Sequence, residues 1–174
     1  VALLLSAAEA RSQGPDTVLA RLEWLVGGSW TAATSGGRAL VPPALRRASA
    51  IQVDYRWGPG RRGLAYTVLA RVAGRPELKA EGWVFTHPET GELVLRELDA
   101  DGNVTRGTAS LGPDGFTLTE RLLSPGGAGW DLRAEVTRQG PDAFLFQGSY
   151  AVNGGWQLAL VLEYRRGVPG PDQR

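Results

Sequence analysis

The sequence predicts an all-β fold, a closed antiparallel up-and-down β-barrel of about ten strands behind one short N-terminal helix. Three observations carry this expectation. From Trp30 onward, apolar and polar residues alternate with a period of two in run after run. The runs are short and punctuated by turn chemistry: Gly58-Pro59-Gly60, Gly74-Arg75-Pro76, Pro113-Asp114-Gly115, Gly140-Pro141-Asp142 and Asn153-Gly154-Gly155. Helical spacing occurs once, ahead of the strands, so nothing is left to serve as the crossovers of a parallel sheet. Consecutive hairpins favour a meander, and closing it removes the two edges that an open sheet has to defend.

The helix is predicted over residues 16–25, where Val18, Leu19, Leu22, Trp24 and Leu25 recur at helical spacing. Asp16 is placed to cap it and Gly27 to end it. Residues 34–49 form a long irregular connection, because Gly36-Gly37 and Pro42-Pro43 exclude a continuous helix or strand. With Leu40, Val41, Ala44 and Leu45 as an apolar underside, it is either a lid over the barrel's open end or a plain loop. Ile51, Val53, Tyr55 and Trp57 then alternate with Gln52, Asp54 and Arg56. Tyr66 and Val68 share a face of the next run, Trp83 and Phe85 a face of the one after, and residues 92–98 make a further strand. Residues 104–111 form a polar, glycine-bearing strand. Phe116, Leu118, Glu120 and Leu122 oppose Thr117, Thr119 and Arg121, and Trp130, Leu132, Ala134 and Val136 oppose Asp131, Arg133, Glu135 and Thr137. Phe144, Phe146 and Tyr150 share a face of the ninth strand, and Trp156, Leu158, Leu160, Leu162 and Tyr164 one of the last.

Gly28-Ser29-Trp30 stands between the helix and the first strand, and Arg165-Arg166 ends the last apolar run. This arrangement resembles the G-x-W signature of the lipocalin and calycin families. The resemblance implies that Gly28 lets Trp30 close the lower end of the barrel beneath an arginine of the last strand, Arg165. A further likeness, to an uncharacterised group of bacterial lipocalin-like domains, rests on Leu22, Trp24, Leu25, Gly27 and Trp30, on Pro88-Glu89-Thr90-Gly91, and on Asp99 with Gly102, Gly107 and Thr108. It covers most of residues 17–166. Nitrobindin-like haem proteins, relatives of this fold, hold their iron through a histidine near the C-terminal strands. The matching region, residues 150–166, contains none, so no haem and no other cofactor is expected.

Bulk properties narrow the function further. At 174 residues the chain is long enough for one domain with a core that needs no staples, and it has no cysteine for disulfide or thiolate chemistry. A net charge of +1 provides no field to steer nucleic acid, and Lys79 is the one lysine among nineteen scattered basic residues. The run from Val1 to Ala10 reads as the end of a secretory signal, with Ala8-Glu9-Ala10 as a small-x-small cleavage site, or as an amphipathic helix of a cytoplasmic protein. The first reading places the protein outside the cytoplasm, secreted or periplasmic. The apolar run is far shorter than the roughly 20 residues of a spanning helix, so stable membrane insertion is not expected. The domain is assigned to residues 16–166, with residues 1–15 a signal remnant or disordered and the Pro- and Gly-bearing tail 167–174 disordered.

A barrel of this size is either filled by side chains or holds one small ligand, so function turns on what lines it. With the more apolar face of each strand pointing in, the candidates are Tyr55, Trp57, Tyr66, Trp83, Glu120, Trp130 and Tyr150. Aromatic rings with hydroxyl or indole groups suit a small hydrophobic or aromatic molecule, or else they fill a closed core. Glu120 is a carboxylate among Phe116, Leu118 and Leu122, so it finds a partner, for which Arg106 on the neighbouring strand is the candidate, or its pKa rises, or it reaches water at the rim. His87, the one histidine, sits in a turn, and no metal site is expected. Gly126-Gly127-Ala128-Gly129 is followed by a strand, not by the helix N-terminus a phosphate loop requires. The chain has no nucleophile elbow for Ser-His-Asp catalysis. The expected function is non-enzymatic binding of a small hydrophobic molecule inside the barrel. The alternatives are an isomerase, cyclase or decarboxylase using Tyr55, Tyr66, Arg106 or Glu120 as acid–base groups, and a solid-core interaction domain.

Overall fold

A computed structural model describes residues 17–35, 41 and 45–167. The expectations for Val1 to Ala10, for Asp16 as a cap, for Leu40 and Ala44 and for the tail beyond Gly167 fall outside the described residues. Among the described residues the element order begins with helix α1 (Thr17–Ala20) and a 3-10 turn (Glu23–Leu25). Ten strands follow: β1 Ser29–Ala33, β2 Ala48–Trp57, β3 Gly63–Val72, β4 Arg75–Thr86, β5 Leu93–Asp99, β6 Val104–Leu111, β7 Gly115–Leu123, β8 Gly129–Arg138, β9 Ala143–Val152 and β10 Gly155–Gly167. Each pairs antiparallel with its sequence neighbours, and β1 pairs with β10 to close the barrel.

The helix is shorter and tighter than its apolar pattern predicts. Arg21, Leu22, Leu25 and Val26 each donate a backbone bond to the residue three positions back. That geometry brings residues three apart onto one line, and Leu19, Leu22 and Leu25 are the buried ones. So short a helix has little stability of its own, and its shape follows the barrel end that it plugs. Arg21 donates to the Gly112 carbonyl at 2.7 Å, and Glu23 lies 3.8 Å from Arg61, so the segment spans turns on opposite sides of that end.

Two features set which side chains of β10 and β4 point inward. The ladder between β9 and β10 slips between Leu158 and Leu160, so Leu160 stands opposite Gly148 whereas Leu158 stands opposite Ser149 and Trp156 opposite Ala151. Trp156 and Leu158, expected on one face with Leu160, Leu162 and Tyr164, are exposed. A bulge adds one residue and reverses the alternation beyond it. On β4 the bulkier face, Trp83 and Phe85, is not the inward one: Ala80 and Val84 are buried and Trp83 is 43% exposed. Inward Gly82 gives the reason, since a Cβ there would overlap Cζ and Oη of Tyr66. The aromatic volume at this level is supplied by β3, and β4 has to be bare.

At the end away from α1, Val152-Asn153-Gly154-Gly155 makes a two-residue hairpin with φ of 50° at Asn153 and 79° at Gly154, the left-handed pair that Asn-Gly adopts at low cost. Val41 and Leu45, from the long connection between β1 and β2, pack on the core cluster near this end.

Candidate functional site

The floor of the barrel is built around Trp30, which is fully buried on β1. Its indole nitrogen donates to the Leu25 carbonyl at 2.8 Å, which ties the strand to the plugging turn. Trp24, Phe144 and Tyr164 extend the aromatic layer, with ring centroids 5.8 Å from Trp24 to Trp30, 4.9 Å from Trp30 to Phe144 and 4.7 Å from Phe144 to Tyr164. The cation over Trp30 is Arg166, at 4.3 Å from the ring, not Arg165 as the resemblance implied. Alternation decides between them. Arg166 shares the inward face with Leu162 and Tyr164 and stands opposite Trp30 in the ladder, whereas Arg165 points out and pairs with Glu163. Arg166 also donates to the carbonyls of Val26 and Trp24 and lies 3.3 Å from Asp142. Gly28 leaves room for it, since a Cβ there would sit 3.0 Å from the Arg166 Cγ.

Above this floor lies a cavity of about 290 Å³. Its wall is mostly aliphatic and aromatic, with Ile51, Leu64, Leu95, Leu118, Leu132 and Phe146 among the residues around it, and Leu45 at the end away from α1. Its polar groups are Tyr55, Tyr66, Tyr164, Glu97, Glu120, Thr105 and, at the edge, Lys79. The Lys79 ammonium is held 2.9 Å from the Glu77 carboxylate.

The polar groups are positioned by register. Tyr55, Tyr66, Gly82 and Glu97 stand opposite one another in turn across β2, β3, β4 and β5. Tyr66 therefore reaches over the bare Gly82 and donates to the Glu97 carboxylate at 2.7 Å. The Tyr55 and Tyr66 rings lie 5.9 Å apart. On the other side, Leu95, Gly107 and Glu120 are opposite one another across β5, β6 and β7. A Cβ at Gly107 would overlap the Thr119 carbonyl oxygen and come 2.9 Å from Cα and Cγ of Glu120, so the close approach of the β7 backbone, together with the Glu120 side chain, requires a glycine here.

Burial, reinforced by the charge of Glu97, pushes the Glu120 carboxyl up from 4.5 to about 7. Glu97 is also raised, by burial first, against the hydrogen bond from Tyr66 that favours its charged form. Burial and the neighbouring carboxylate hold the Tyr55 and Tyr66 phenols well above their ordinary range, so both remain donors. Tyr164 is 4% exposed, its phenol is likewise raised by burial, and its hydroxyl makes no hydrogen bond to another protein group among the described residues.

Of the eight residues expected to form the site (the seven inward candidates and Arg106), Tyr55, Tyr66 and Glu120 border this cavity. Five do not. Trp83 and Trp130 are exposed, the first on the outer face of β4 and the second near the start of β8. Arg106 is exposed on the outer face of β6, opposite Arg96 and Arg121 in the ladders, so it is not the partner of Glu120. Trp57 is half-buried beneath the Arg61 guanidinium at 5.4 Å, and Tyr150 is half-buried beyond Gly148. Glu97 and Tyr164 are polar groups of the cavity that the apolar pattern does not single out: Tyr164 sits within the apolar face of the last strand, and Glu97 lies on a strand whose two faces are both apolar near its start, with Leu93, Val94 and Leu95 all buried. His87 serves its turn, where its Nδ1 accepts from the backbone nitrogens of Glu89 and Thr90 at 3.3 Å.

No protein-family model matches the chain, and no curated protein sequence matches it. Among solved structures, the chain is similar to the crystal structure of Rv2717c from M. tuberculosis, with a TM-score of 0.57 and 18% sequence identity over 87% of this chain and 98% of that one. At that identity the likeness concerns the fold, a closed barrel.

Proposed function

We propose that this barrel binds a small, largely apolar molecule in its interior. The observation that carries the reading is the cavity of about 290 Å³, which lies near the lower end of the roughly 300–1,000 Å³ range of small-molecule pockets. A solid-core domain would have filled this space, because voids larger than a water molecule are few in protein interiors and cost stability. The wall combines a broad apolar surface with a few hydrogen-bonding groups, the composition that gives a ligand both affinity and one orientation. The G-x-W likeness, with Arg166 in place over Trp30, agrees with a calycin-like carrier.

The test is native mass spectrometry of the full chain with neutral bicyclic aromatics, compared with an Ala109→Leu variant. Ala109 borders the cavity, so the larger side chain occupies the ligand's space. A one-to-one complex with the parent protein that the variant loses supports the reading. No complex with any such molecule overturns it.

A second reading, acid–base catalysis on an apolar substrate, is favoured by the hydrogen-bonded Tyr66–Glu97 pair beside a carboxyl that titrates near neutrality. Arg106 has no part in it, being outside the barrel. Chemical change of a bound molecule, lost in Glu120→Gln, separates this reading from simple carriage.

A further inference from the structure

Among the described residues the cavity carries an excess of acid, two carboxyl groups against one ammonium at its edge. Two carboxyl groups, Glu97 and Glu120, border it from β5 and β7, one step diagonally apart across the bare Gly107. Of the described cations, Lys79 pairs with Glu77 at the edge, Arg47 is exposed in the groove beside that edge, Arg166 is spent on the floor carbonyls and Asp142, and Arg96, Arg106 and Arg121 lie on the outer face. Among the described residues Glu120 has no hydrogen bond, and Glu97 accepts one, from Tyr66. Tyr164, almost fully buried on the wall, has no hydrogen-bond partner for its hydroxyl among the described residues either. An unpaired carboxylate in an apolar wall is costly, and a cation placed beside it recovers much of that cost.

We propose that the cavity selects small apolar molecules that carry a basic nitrogen, with the ammonium seated between Glu97 and Glu120 and the apolar body against the aliphatic wall. This rests on the interior-binding reading above and adds the ligand's charge. The pocket discriminates against carboxylates of the same shape, which would bring a third negative charge to two desolvated acids. The phenols of Tyr55 and Tyr164 accept the remaining N–H groups through their oxygens. Ammonium binding also favours the ionised form of Glu120, so affinity rises with pH while the amine stays protonated. The titratable groups facing Glu120 across the cavity are Glu97 on β5, Tyr66 on β3, Tyr55 on β2 and Tyr164 on β10, with Lys79 at the edge on β4. The described cavity-wall residues of β6 and β8, Thr105, Ala109 and Leu132, bear no charge.

Calorimetric titration of the full chain with naphthylmethylamine, naphthylmethanol and naphthoic acid tests this, because the three share one apolar body and differ in the sign of the head group. At about pH 8 the amine is expected to bind roughly tenfold tighter than the alcohol and the acid to bind weakest. The amine's advantage is expected to shrink to less than about threefold at about pH 5.5, where Glu120 is protonated, and in Glu120→Gln at either pH. Equal binding of amine and alcohol, tighter binding of the acid, or an amine advantage that persists undiminished in both Glu120→Gln and Glu97→Gln overturns the charge selection and leaves interior binding standing. Binding of none of the three overturns both. The comparison of probes on the parent protein needs no variant to fold.

Discussion

Tyr66 donates to Glu97 across a gap of one strand, with Gly82 directly between them in the ladder and no side chain to stand in the way. Three consecutive strands thereby fix one hydrogen bond inside the barrel. A Cβ at position 82 would overlap the phenol, so Gly82→Ala displaces Tyr66 and breaks the bond to Glu97. The expected cost is about 2–3 kcal/mol in urea denaturation, combining overpacking with a carboxylate left unpaired. In Tyr66→Leu the same glycine change costs less, because the obstructing ring is gone, and the double variant is therefore less destabilised than the sum of the singles. Additive effects would place the strain elsewhere.

Glu120 makes stability depend on pH with a definite sign. Its carboxyl titrates about 7 in the folded protein against 4.5 when unperturbed, so between those values the native state holds a proton that the unfolded chain has lost. Stability from this group is full below about pH 4.5 and falls as pH rises through about 7, and the raised Glu97 adds a change of the same sign. Glu120→Gln removes its share: near-parental stability is expected at about pH 4.5 and a gain on the order of 2 kcal/mol at about pH 8. Thermal melts of parent and variant across that interval measure the difference, and a difference that does not change with pH contradicts the burial of this group.

The two adjacent arginines at the end of β10 differ in role because of alternation alone. Arg166 covers the Trp30 ring and satisfies the Val26 and Trp24 carbonyls, so Arg166→Ala is expected to cost about 2–3 kcal/mol. Arg165 is an exposed residue paired with Glu163, and Arg165→Ala is expected to cost less than about 0.5 kcal/mol. Near-equal losses in chemical denaturation would mean that the floor does not depend on the guanidinium.

The architecture was legible in the sequence because each strand carries its own period and each turn its own chemistry. The face turned inward was less legible. Apolarity points the right way for Ile51, Val53 and Tyr55, or for Phe116, Leu118 and Leu122, where the other face is polar. It fails at Trp83, where the inward residue is Gly82 and its lack of a side chain answers a tyrosine on another strand. It fails again at Trp156 and Leu158, because a bulge reverses the pattern and leaves no mark in composition. The arginine over Trp30 is Arg166 and not its neighbour Arg165, and its parity with Tyr164 is visible in the sequence. Glu97 could not be found without the register that sets it opposite Gly82 and beyond it Tyr66. A site assembled across many strands is a property of pairing, which single runs do not encode.

The same geometry separates the aromatic residues that govern binding from those that do not. Trp83 and Trp130 are large, exposed and remote from the cavity wall, whereas Tyr55 borders it with a hydroxyl that has no hydrogen-bond partner among the described residues. Trp83→Ala and Trp130→Ala are therefore expected to leave the affinity for an interior ligand within about twofold, since neither ring borders the cavity. Tyr55→Phe keeps the apolar wall and removes one polar group, so it is expected to weaken an amine by roughly three- to tenfold and to change a hydrocarbon of the same shape little. Titration calorimetry on the three variants checks the contrast. Loss of binding in Trp83→Ala, with the fold intact by circular dichroism, would move the site to the outer face and away from the cavity.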